Sequence, residues 1–446
     1  MVGSRCGVAR FARGCSWFVA GAVVLASASS ARAQEWSPSA VVSGASTDEW
    51  FGRAISVNGG SMLVGSSSER DTNGGTGTGA AYVFSGADWS TVARLVPDAG
   101  AGMREYSFGG AVALDGDTAL VGTTHIDPAG VYVFARSEGT WTQQQRLFEA
   151  GVETFGYRLA LRGDVAVLAA PKDGADVGKA SVYTKTAGAW TKTQDLKASD
   201  AAESDFFGLS LAFDGQVAVL GAPGNALFPG ARTGVYVYAL REGLFSEQAR
   251  LALPGPPELN FGASVALAGD TLMVGAPPQT DATSNGQALV FVRSGASWSL
   301  QQTLTVIDEE HFGTEVALQG ETAWVMASTR MQRSLYVFKR ANGVWSQTQR
   351  LEFGASTLGT SAPAVYGGTL AVGVQNNDVP GAIHVFTNPA EPGPGGAPDA
   401  GGGSGSDSGG CAVSGASGPG STLAAALITS ALLGAGRARR RRESAR

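Results

Sequence analysis

Side chains suited to covalent catalysis are scarce in this 446-residue sequence. The histidines are His125, His311 and His384, and they occupy unrelated local contexts. Neither a G-x-S-x-G nucleophile motif nor an H-E-x-x-H zinc motif is present. The sequence therefore shows no catalytic constellation, and we expect a protein that is not an enzyme and needs no cofactor.

Carboxylates are more abundant, and many of them stand in polar stretches between apolar runs. The candidate ligand-binding residues are Asp173, Asp176, Asp200, Glu203 and Asp205. Asp71 and Asn73, in the run Asp71-Thr72-Asn73-Gly74, are candidates for holding a cation. Charge-rich loops more often only keep a surface soluble, and that alternative stays open here.

The elements that would position these groups are repeated along the chain. A Phe-Gly pair recurs at residues 51–52, 108–109, 155–156, 207–208, 261–262 and 312–313, with Leu358-Gly359 in the next place. A period near 50 residues with several strand patterns per copy is typical of a propeller blade. In the second copy the strand patterns are Ala111–Leu114, Ala119–Gly122, Val131–Phe134 and Trp141–Leu147. We therefore predict an all-β fold, a seven-bladed β-propeller of four-stranded antiparallel blades.

The two ends of the repeat region predict how the ring closes. The seventh copy offers strands at Ala364–Tyr366, Leu370–Gly373 and Ile383–Phe386, and it lacks the fourth strand that begins with Trp in most other copies. A spare strand of that type, residues 35–42, precedes the first Phe-Gly. We expect it to complete the last blade, which places the propeller domain at residues 34–389.

The connections between strands fall into two classes. Short Gly-Asp turns such as Asp115-Gly116-Asp117 join the first two strands of a copy, and equally short turns join the last two. Long, irregular connections such as Pro171–Lys179 and Ala198–Phe206 join the others. In an up-and-down blade these classes lie on opposite faces, which we call the short-turn face and the long-loop face. Because scaffolds place function on variable loops, the acidic long-loop face is the predicted binding surface.

Aromatic residues recur at the start of the fourth strand. They are Trp89, Trp141, Trp190, Trp298 and Trp345, with Phe245 in the same register. Aromatic rings on a surface could stack on sugars. Their fixed place in each copy favours packing between blades instead.

The repeats resemble FG-GAP repeats, the blades of the integrin α-subunit propeller and of many bacterial surface proteins. The likeness rests on Phe207-Gly208 with Gly221-Ala222-Pro223, and on Phe261-Gly262 with Gly275-Ala276-Pro277. It implies a propeller that binds partners at a cell surface. Integrin-type calcium loops of D-x-D-x-D-G character are replaced here by Gly-Asp turns, which offer fewer oxygens than the 6–8 that calcium takes. The family's calcium sites are therefore not expected in this chain.

The segments outside the propeller predict export and anchoring. Residues 1–33 have the charged, apolar and A-x-A regions of a signal peptide, with cleavage after Ala33. Residues 390–410 form a Pro/Gly/Ser linker. Residues 411–446 combine Cys411, an apolar stretch and an Arg cluster, and they resemble sorting signals of the MYXO-CTERM type. We expect a C-terminal transmembrane helix there, and the resemblance implies processing at Cys411 and a place on the cell surface.

Charge narrows the class of partner. Residues 34–436 contain 22 basic and 37 acidic residues, a net charge of −15, which disfavours nucleic acid. We expect a monomeric propeller, tethered to the envelope, that binds a surface protein or polysaccharide. The alternatives are an envelope polysaccharide hydrolase or lyase that uses carboxylates near the central channel, and a purely structural envelope protein.

Overall fold

The computed structural model describes residues 35–389, apart from the connecting segments 45–49, 69–78, 99–106, 124–129, 225–232, 254–258, 280–284, 308–310, 329–332, 354–358 and 376–379. The predicted signal peptide with Ala33, the linker, and the C-terminal helix with Cys411 lie outside these residues. No helix in the described part of the chain has the length and apolar character needed to span a bilayer.

The described residues form seven antiparallel sheets, which confirms the seven-bladed propeller. Each of blades 1 to 6 contains four strands in chain order from the centre of the ring outward. Blade 1 contains β2 (Phe51–Asn58), β3 (Ser61–Ser66), β4 (Ala80–Ser85) and β5 (Ser90–Leu95); blade 2 contains β6 (Phe108–Asp115), β7 (Thr118–Thr123), β8 (Gly130–Ser137) and β9 (Thr140–Leu147); blade 3 contains β10 (Arg158–Arg162), β11 (Val165–Ala170), β12 (Lys179–Thr186) and β13 (Ala189–Leu196). Blade 4 contains β14 (Ser210–Phe213), β15 (Val217–Ala222), β16 (Gly234–Arg241) and β17 (Leu244–Leu251); blade 5 contains β18 (Ser264–Ala268), β19 (Thr271–Ala276), β20 (Gln287–Ser294) and β21 (Ser297–Leu304); blade 6 contains β22 (Val316–Gln319), β23 (Thr322–Ser328), β24 (Arg333–Ala341) and β25 (Val344–Glu352).

Blade 7 closes the ring as predicted. Its outermost strand is β1 (Ser37–Ser43), which pairs antiparallel with β29 (Ala382–Thr387). Inside β29 lies β28 (Thr369–Gln375), and the innermost place is divided between two short strands, β26 (Gly359–Thr360) and β27 (Ala364–Tyr366). Ser37 lies opposite Thr387 in the pairing, so β1 begins and β29 ends on the same face of the ring.

The hydrophobic core is divided among the blade junctions. Seven clusters of buried apolar side chains are found among the described residues, and each draws on two neighbouring blades. Both faces of every sheet are thereby covered, which a single four-stranded sheet could not achieve. This packing is the physical reason why the repeats form a ring.

The Phe-Gly pair forms a turn that opens the innermost strand. In blade 3 the Tyr157 N–H donates to the Thr154 carbonyl at 3.0 Å, and corresponding bonds of 3.0–3.3 Å close the turn in blades 1, 2, 4 and 5. The glycine at the third position has a φ of +81° to +93° in blades 1 to 6, the conformation that position has in a type II turn. The phenylalanine is at most 2% exposed at all six places.

The Gly-Ala-Pro element meets the Phe-Gly turn of the following blade. A Cβ added to Gly221 would lie 2.1 Å from the carbonyl oxygen of Gly262, and one added to Gly275 would lie 2.1 Å from that of Gly313. Only glycine permits such close approach of two backbones. The two halves of the repeat motif therefore recur together because they touch across a junction between blades.

Glutamine side chains join the fourth strands of neighbouring blades. Gln302 of blade 5 donates from Nε2 to the Trp345 carbonyl at 2.9 Å and accepts from the Trp345 N–H at 2.8 Å. We call this pair of bonds the glutamine clamp. The same clamp links Gln145 to Trp190, Gln194 to Phe245 and Gln349 to Trp36. At the other three junctions Ala40, Ala93 and Ala249 occupy the glutamine position.

Candidate functional site

The predicted binding residues Asp173 and Asp176 bound a single helical turn, α1 (Asp173–Asp176), in the long-loop connection of blade 3. Gly174, Ala175 and Asp176 have φ values of +61° to +63°, so the turn is left-handed in part. Its Asp176 carbonyl accepts a hydrogen bond from the Phe206 N–H at 2.8 Å. This bond joins the turn to the connection that leads into blade 4.

The joined connections bring three carboxylates together. Burial raises the pKa of Asp176, Lys172 lowers it, and the neighbouring Glu153 and Glu203 raise it further. Asp176 thus lies near enough to Glu203, another predicted residue, and to Glu153, which was not predicted, for their charges to act on it. Like charges that act on one another favour a cationic or hydrogen-bond-donating partner.

Two other predicted residues, Asp200 and Asp205, form polar contacts within the protein. Asp200 accepts a hydrogen bond from the Tyr236 hydroxyl at 2.6 Å and pairs with Arg250 at 3.1 Å. Asp205 is 1% exposed, and its Oδ2 accepts a hydrogen bond from the Ala202 N–H at 2.8 Å. In this structure the carboxylate of Asp205 therefore turns back into its own loop.

The predicted cation site cannot be located in this structure. Asp71 and Asn73 lie outside the described residues. Within the described residues, no group of three His, Cys, Asp or Glu side chains is placed to hold a metal ion.

The aromatic residues of the fourth strand serve packing where the glutamine clamp is present. Trp36, Trp190, Phe245 and Trp345 are 2–4% exposed, and all four receive a clamp. Of the three residues that follow junctions without a clamp, Trp141 and Trp298 are partly exposed and Trp89 is 9% exposed. Stacking on a sugar is excluded for the buried rings, because no ligand could reach their faces.

The centre of the ring holds a charged cluster that the sequence analysis did not identify. Arg53, in the innermost strand of blade 1, lies close enough to Tyr157 and Arg158 of blade 3 for both side chains to affect its pKa. Arg158 also acts on Glu315 of blade 6. Blades 1, 3 and 6 are not neighbours, so their innermost strands approach one another only across the central axis. We call these four residues the axial cluster.

The axial cluster lies at the long-loop end of the ring. Arg53 and Tyr157 directly follow the Phe-Gly turn of their blades, and Arg158 and Glu315 come one residue later. That turn is where the chain enters the innermost strand from a long connection. The sequence signal was a charged residue at this place in blades 1, 3 and 6, where other blades have small or apolar residues.

Arg53 is a desolvated cation. Burial lowers its pKa, with an opposing effect of Tyr157 and a further lowering by Arg158. Its Nε is buried and has no hydrogen-bond partner among the described residues. Its guanidinium carbon lies 4.5 Å from the centre of the Trp50 ring, and Trp50 is 39% exposed. The mouth of the ring thus presents an exposed aromatic ring beside a cation.

Glu315 lies in a strongly perturbed environment. The residue keeps part of its surface accessible, but the surrounding protein desolvates its carboxyl group and raises its pKa to about 7 against the opposing charge of Arg158. At neutral pH the carboxyl group is therefore divided between its neutral and charged forms. Two guanidinium groups and one titrating carboxyl make the axial cluster cationic, in contrast to the acidic loops around it.

Comparison with known proteins identifies the repeats. The FG-GAP repeat model matches residues 40–84, 89–134, 190–238 and 246–291, so these four segments are FG-GAP repeats, as the resemblance implied. Each matched segment begins in the outermost strand of one blade and ends in the third strand of the next. The matched unit therefore spans the junction at which Phe-Gly and Gly-Ala-Pro meet. No curated protein sequence matches the chain.

Two solved structures resemble the chain at low sequence identity. A protein from Lactobacillus plantarum is 16% identical, with a TM-score of 0.48 over 66% of this chain and 83% of that one. The β-propeller domain of Cps50 (Swd1) from Myceliophthora thermophila is 11% identical, with a TM-score of 0.53 over 78% of this chain and 99% of that one. At this identity the likeness to the Cps50 domain shows the propeller fold alone.

Proposed function

We propose that this chain is an exported, surface-tethered binding propeller that recognises an envelope protein or polysaccharide through its long-loop face. The observation that supports this most strongly is the position of the chain ends. Ser37 and Thr387 lie opposite each other where β1 begins and β29 ends, and this is the short-turn face. A tether that continues from residue 387 would leave the long-loop face pointing away from the membrane.

The predicted ends of the chain agree with that orientation. A signal peptide at residues 1–33 would export the chain. The linker at 390–410 and the segment at 411–446 would hold it at the surface, with a C-terminal transmembrane helix and its Arg cluster on the cytoplasmic side. FG-GAP repeats in the ring suit a binding role, and we propose no cofactor and no nucleic-acid partner.

Capture from envelope extract tests the binding function. The full-length protein is compared with a triple variant that neutralises the long-loop acids, Asp173→Asn, Asp176→Asn and Glu203→Gln. The matched control neutralises three acids of the short-turn face, Glu138→Gln, Asp164→Asn and Glu242→Gln. We expect the wild type and the control to capture the same protein or polysaccharide and the long-loop variant to capture less. Equal capture by all three proteins would show that these acids are not the binding determinant, and no capture at all would refute the binding function.

A second candidate is an envelope polysaccharide hydrolase or lyase. The observation that favours it is Glu315, whose pKa of about 7 suits a group that gives or takes a proton near neutral pH. Incubation of the full-length protein with envelope polysaccharide tests this candidate. Release of shorter fragments that stops in a Glu315→Gln variant would favour an enzyme, and undiminished chain length would exclude one on those polymers.

A further inference from the structure

We propose that the axial cluster binds the carboxylate of a uronic-acid unit in a polysaccharide that alternates uronic acids with neutral sugars. This inference rests on the proposed binding function and names its ligand class. Arg53 would hold the carboxylate, and Trp50 would lie beside the sugar ring.

The first argument is the electrostatic state of Arg53. A guanidinium removed from water costs free energy unless an anion or hydrogen-bond acceptors compensate it. Its buried Nε has no hydrogen-bond partner among the described residues, and the neighbouring guanidinium that acts on it, Arg158, carries a like charge. A planar carboxylate matches the forked donors of a guanidinium, often through two parallel hydrogen bonds. Arg53 therefore has the charge and the donors for such a ligand.

The second argument is the length of the side chains around the axis. The residues that correspond to Arg53 in blades 2, 5 and 6 are Gly110, Ala263 and Thr314. Side chains this small do not reach far toward the axis, so Arg53 faces short side chains in these three blades.

The third argument distinguishes a sugar from an acidic protein segment. Trp50 and Tyr157 place aromatic rings next to Arg53 and Arg158, at 4.5 Å and 5.0 Å from the guanidinium carbons. Small-ligand sites commonly combine aromatic walls with a few fixed polar groups. The acidic loops around the mouth would repel a densely acidic partner, whereas isolated uronates separated by neutral sugars bring one charge at a time to the axis.

Titration with defined oligosaccharides tests the inference. The probe is a hexasaccharide that alternates glucuronate with a neutral sugar, and its matched control is the same hexasaccharide with reduced carboxyl groups. Binding to the full-length protein is followed by calorimetry and by tryptophan fluorescence, since Trp50 would lie at the site. The variants are Arg53→Met, Arg53→Lys and, as a control arginine that also lies over a tryptophan but on the short-turn face, Arg136→Gln.

We expect the acidic hexasaccharide to bind and the reduced one to bind at least tenfold more weakly. Arg53→Met should raise Kd at least tenfold, Arg53→Lys should raise it less, and Arg136→Gln should leave it within twofold. Arg53→Met should fold with an unchanged or higher Tm, because the change removes a desolvated charge. That result would separate lost binding from lost structure.

Several outcomes would overturn the inference. They are equal binding of the acidic and reduced oligosaccharides, binding that Arg53→Met leaves unchanged, or preference for an acidic peptide over the sugar. Capture of an envelope ligand that Arg53→Met does not reduce would overturn the axial site while leaving the proposed binding function intact. Loss of envelope capture together with retained binding of the hexasaccharide would overturn the proposed binding function while leaving the axial site intact.

Discussion

Removal of the glutamine clamp that closes the ring should destabilise the whole propeller. In Gln349→Ala the Trp36 N–H and carbonyl lose partners at 2.9 Å and 2.7 Å. Trp36 is 2% exposed, so water replaces those partners poorly. A net loss of about 1 kcal/mol for each hydrogen bond, with more where a buried group stays unsatisfied, gives an expected loss of about 2–3 kcal/mol in the free energy of unfolding.

Denaturant titration followed by tryptophan fluorescence measures this loss. The matched control is Gln347→Ala, which truncates an exposed glutamine two residues earlier on the same strand. Gln302→Ala, which opens the clamp between blades 5 and 6, should lose a similar amount. Should Gln349→Ala unfold within about 0.5 kcal/mol of Gln347→Ala, the scale of an ordinary surface substitution, the clamp would contribute nothing and the reasoning would fail.

Three further predictions concern the junctions and the axis. Gly109→Ala should lower the free energy of unfolding by about 3 kcal/mol or more, because the new Cβ would lie 2.3 Å from the Ala80 carbonyl oxygen at a φ of +87°. Gly139→Ala, at a φ of +80° with open space around it, should lower it by only about 1 kcal/mol in the same denaturant titration. Equal losses in the two variants would contradict the role of close backbone approach. Ala249→Gln should supply the missing clamp to blade 5 and raise the free energy of unfolding by about 1 kcal/mol, and an unchanged or lower value would count against the clamp as a transferable element. Glu315 has a pKa of about 7 in the folded protein, against 4.5 for an unperturbed glutamate. Between those pH values the folded protein holds a proton that the unfolded chain has released, so the free energy of unfolding should fall as pH rises through that window. Glu315→Gln should therefore be more stable than the wild type at pH 8, by on the order of 2 kcal/mol, and nearly equal to it at pH 4.5; a pH-independent difference would show that burial of Glu315 has no such effect.

The architecture was predictable because local signals repeat. A single Phe-Gly pair is weak evidence, but six pairs at similar spacing, each followed by two strand patterns around a short glycine turn, indicate a blade each time. Ring closure was predictable from a missing strand at one end and a spare strand at the other. The divided innermost place of blade 7 was not predicted, and it falls where Leu358 replaces the phenylalanine that anchors the turn elsewhere.

The glutamine clamp had a sequence signal that was not used. Glutamine stands four residues after the tryptophan at Gln145, Gln194, Gln302 and Gln349. The two-residue alternation of a strand places residues four apart on the same face, whereas Trp190 and Gln194 face opposite neighbouring blades. The register shift between the third and fourth strands, which is visible only in the structure, lies between these two positions.

The site was less predictable than the fold because it depends on distant blades. Arg53, Arg158 and Glu315 are separated by more than 100 residues from one to the next, and their meeting follows from the closed ring rather than from local spacing. The acidic residues of the loops are evident from the sequence, but their exposure to solvent is not. Asp176 and Glu203 lie near enough for their charges to interact. Asp205 is buried, and its carboxylate accepts a hydrogen bond within its own loop.

The pairing of β1 with β29 also sets an order of events during synthesis. Blades 1 to 6 each consist of strands consecutive in the chain, so each can assemble soon after it leaves the ribosome or the export channel. β1 is made first and must wait for a partner almost 350 residues later, with Trp36 and an open strand edge exposed to other chains meanwhile. A chain that stops before residue 382 would leave β1 without a strand to pair with. Only a chain that includes β29 can pair β1 and close the ring. Incomplete chains therefore keep an open strand edge, which exposes them to aggregation and proteolysis.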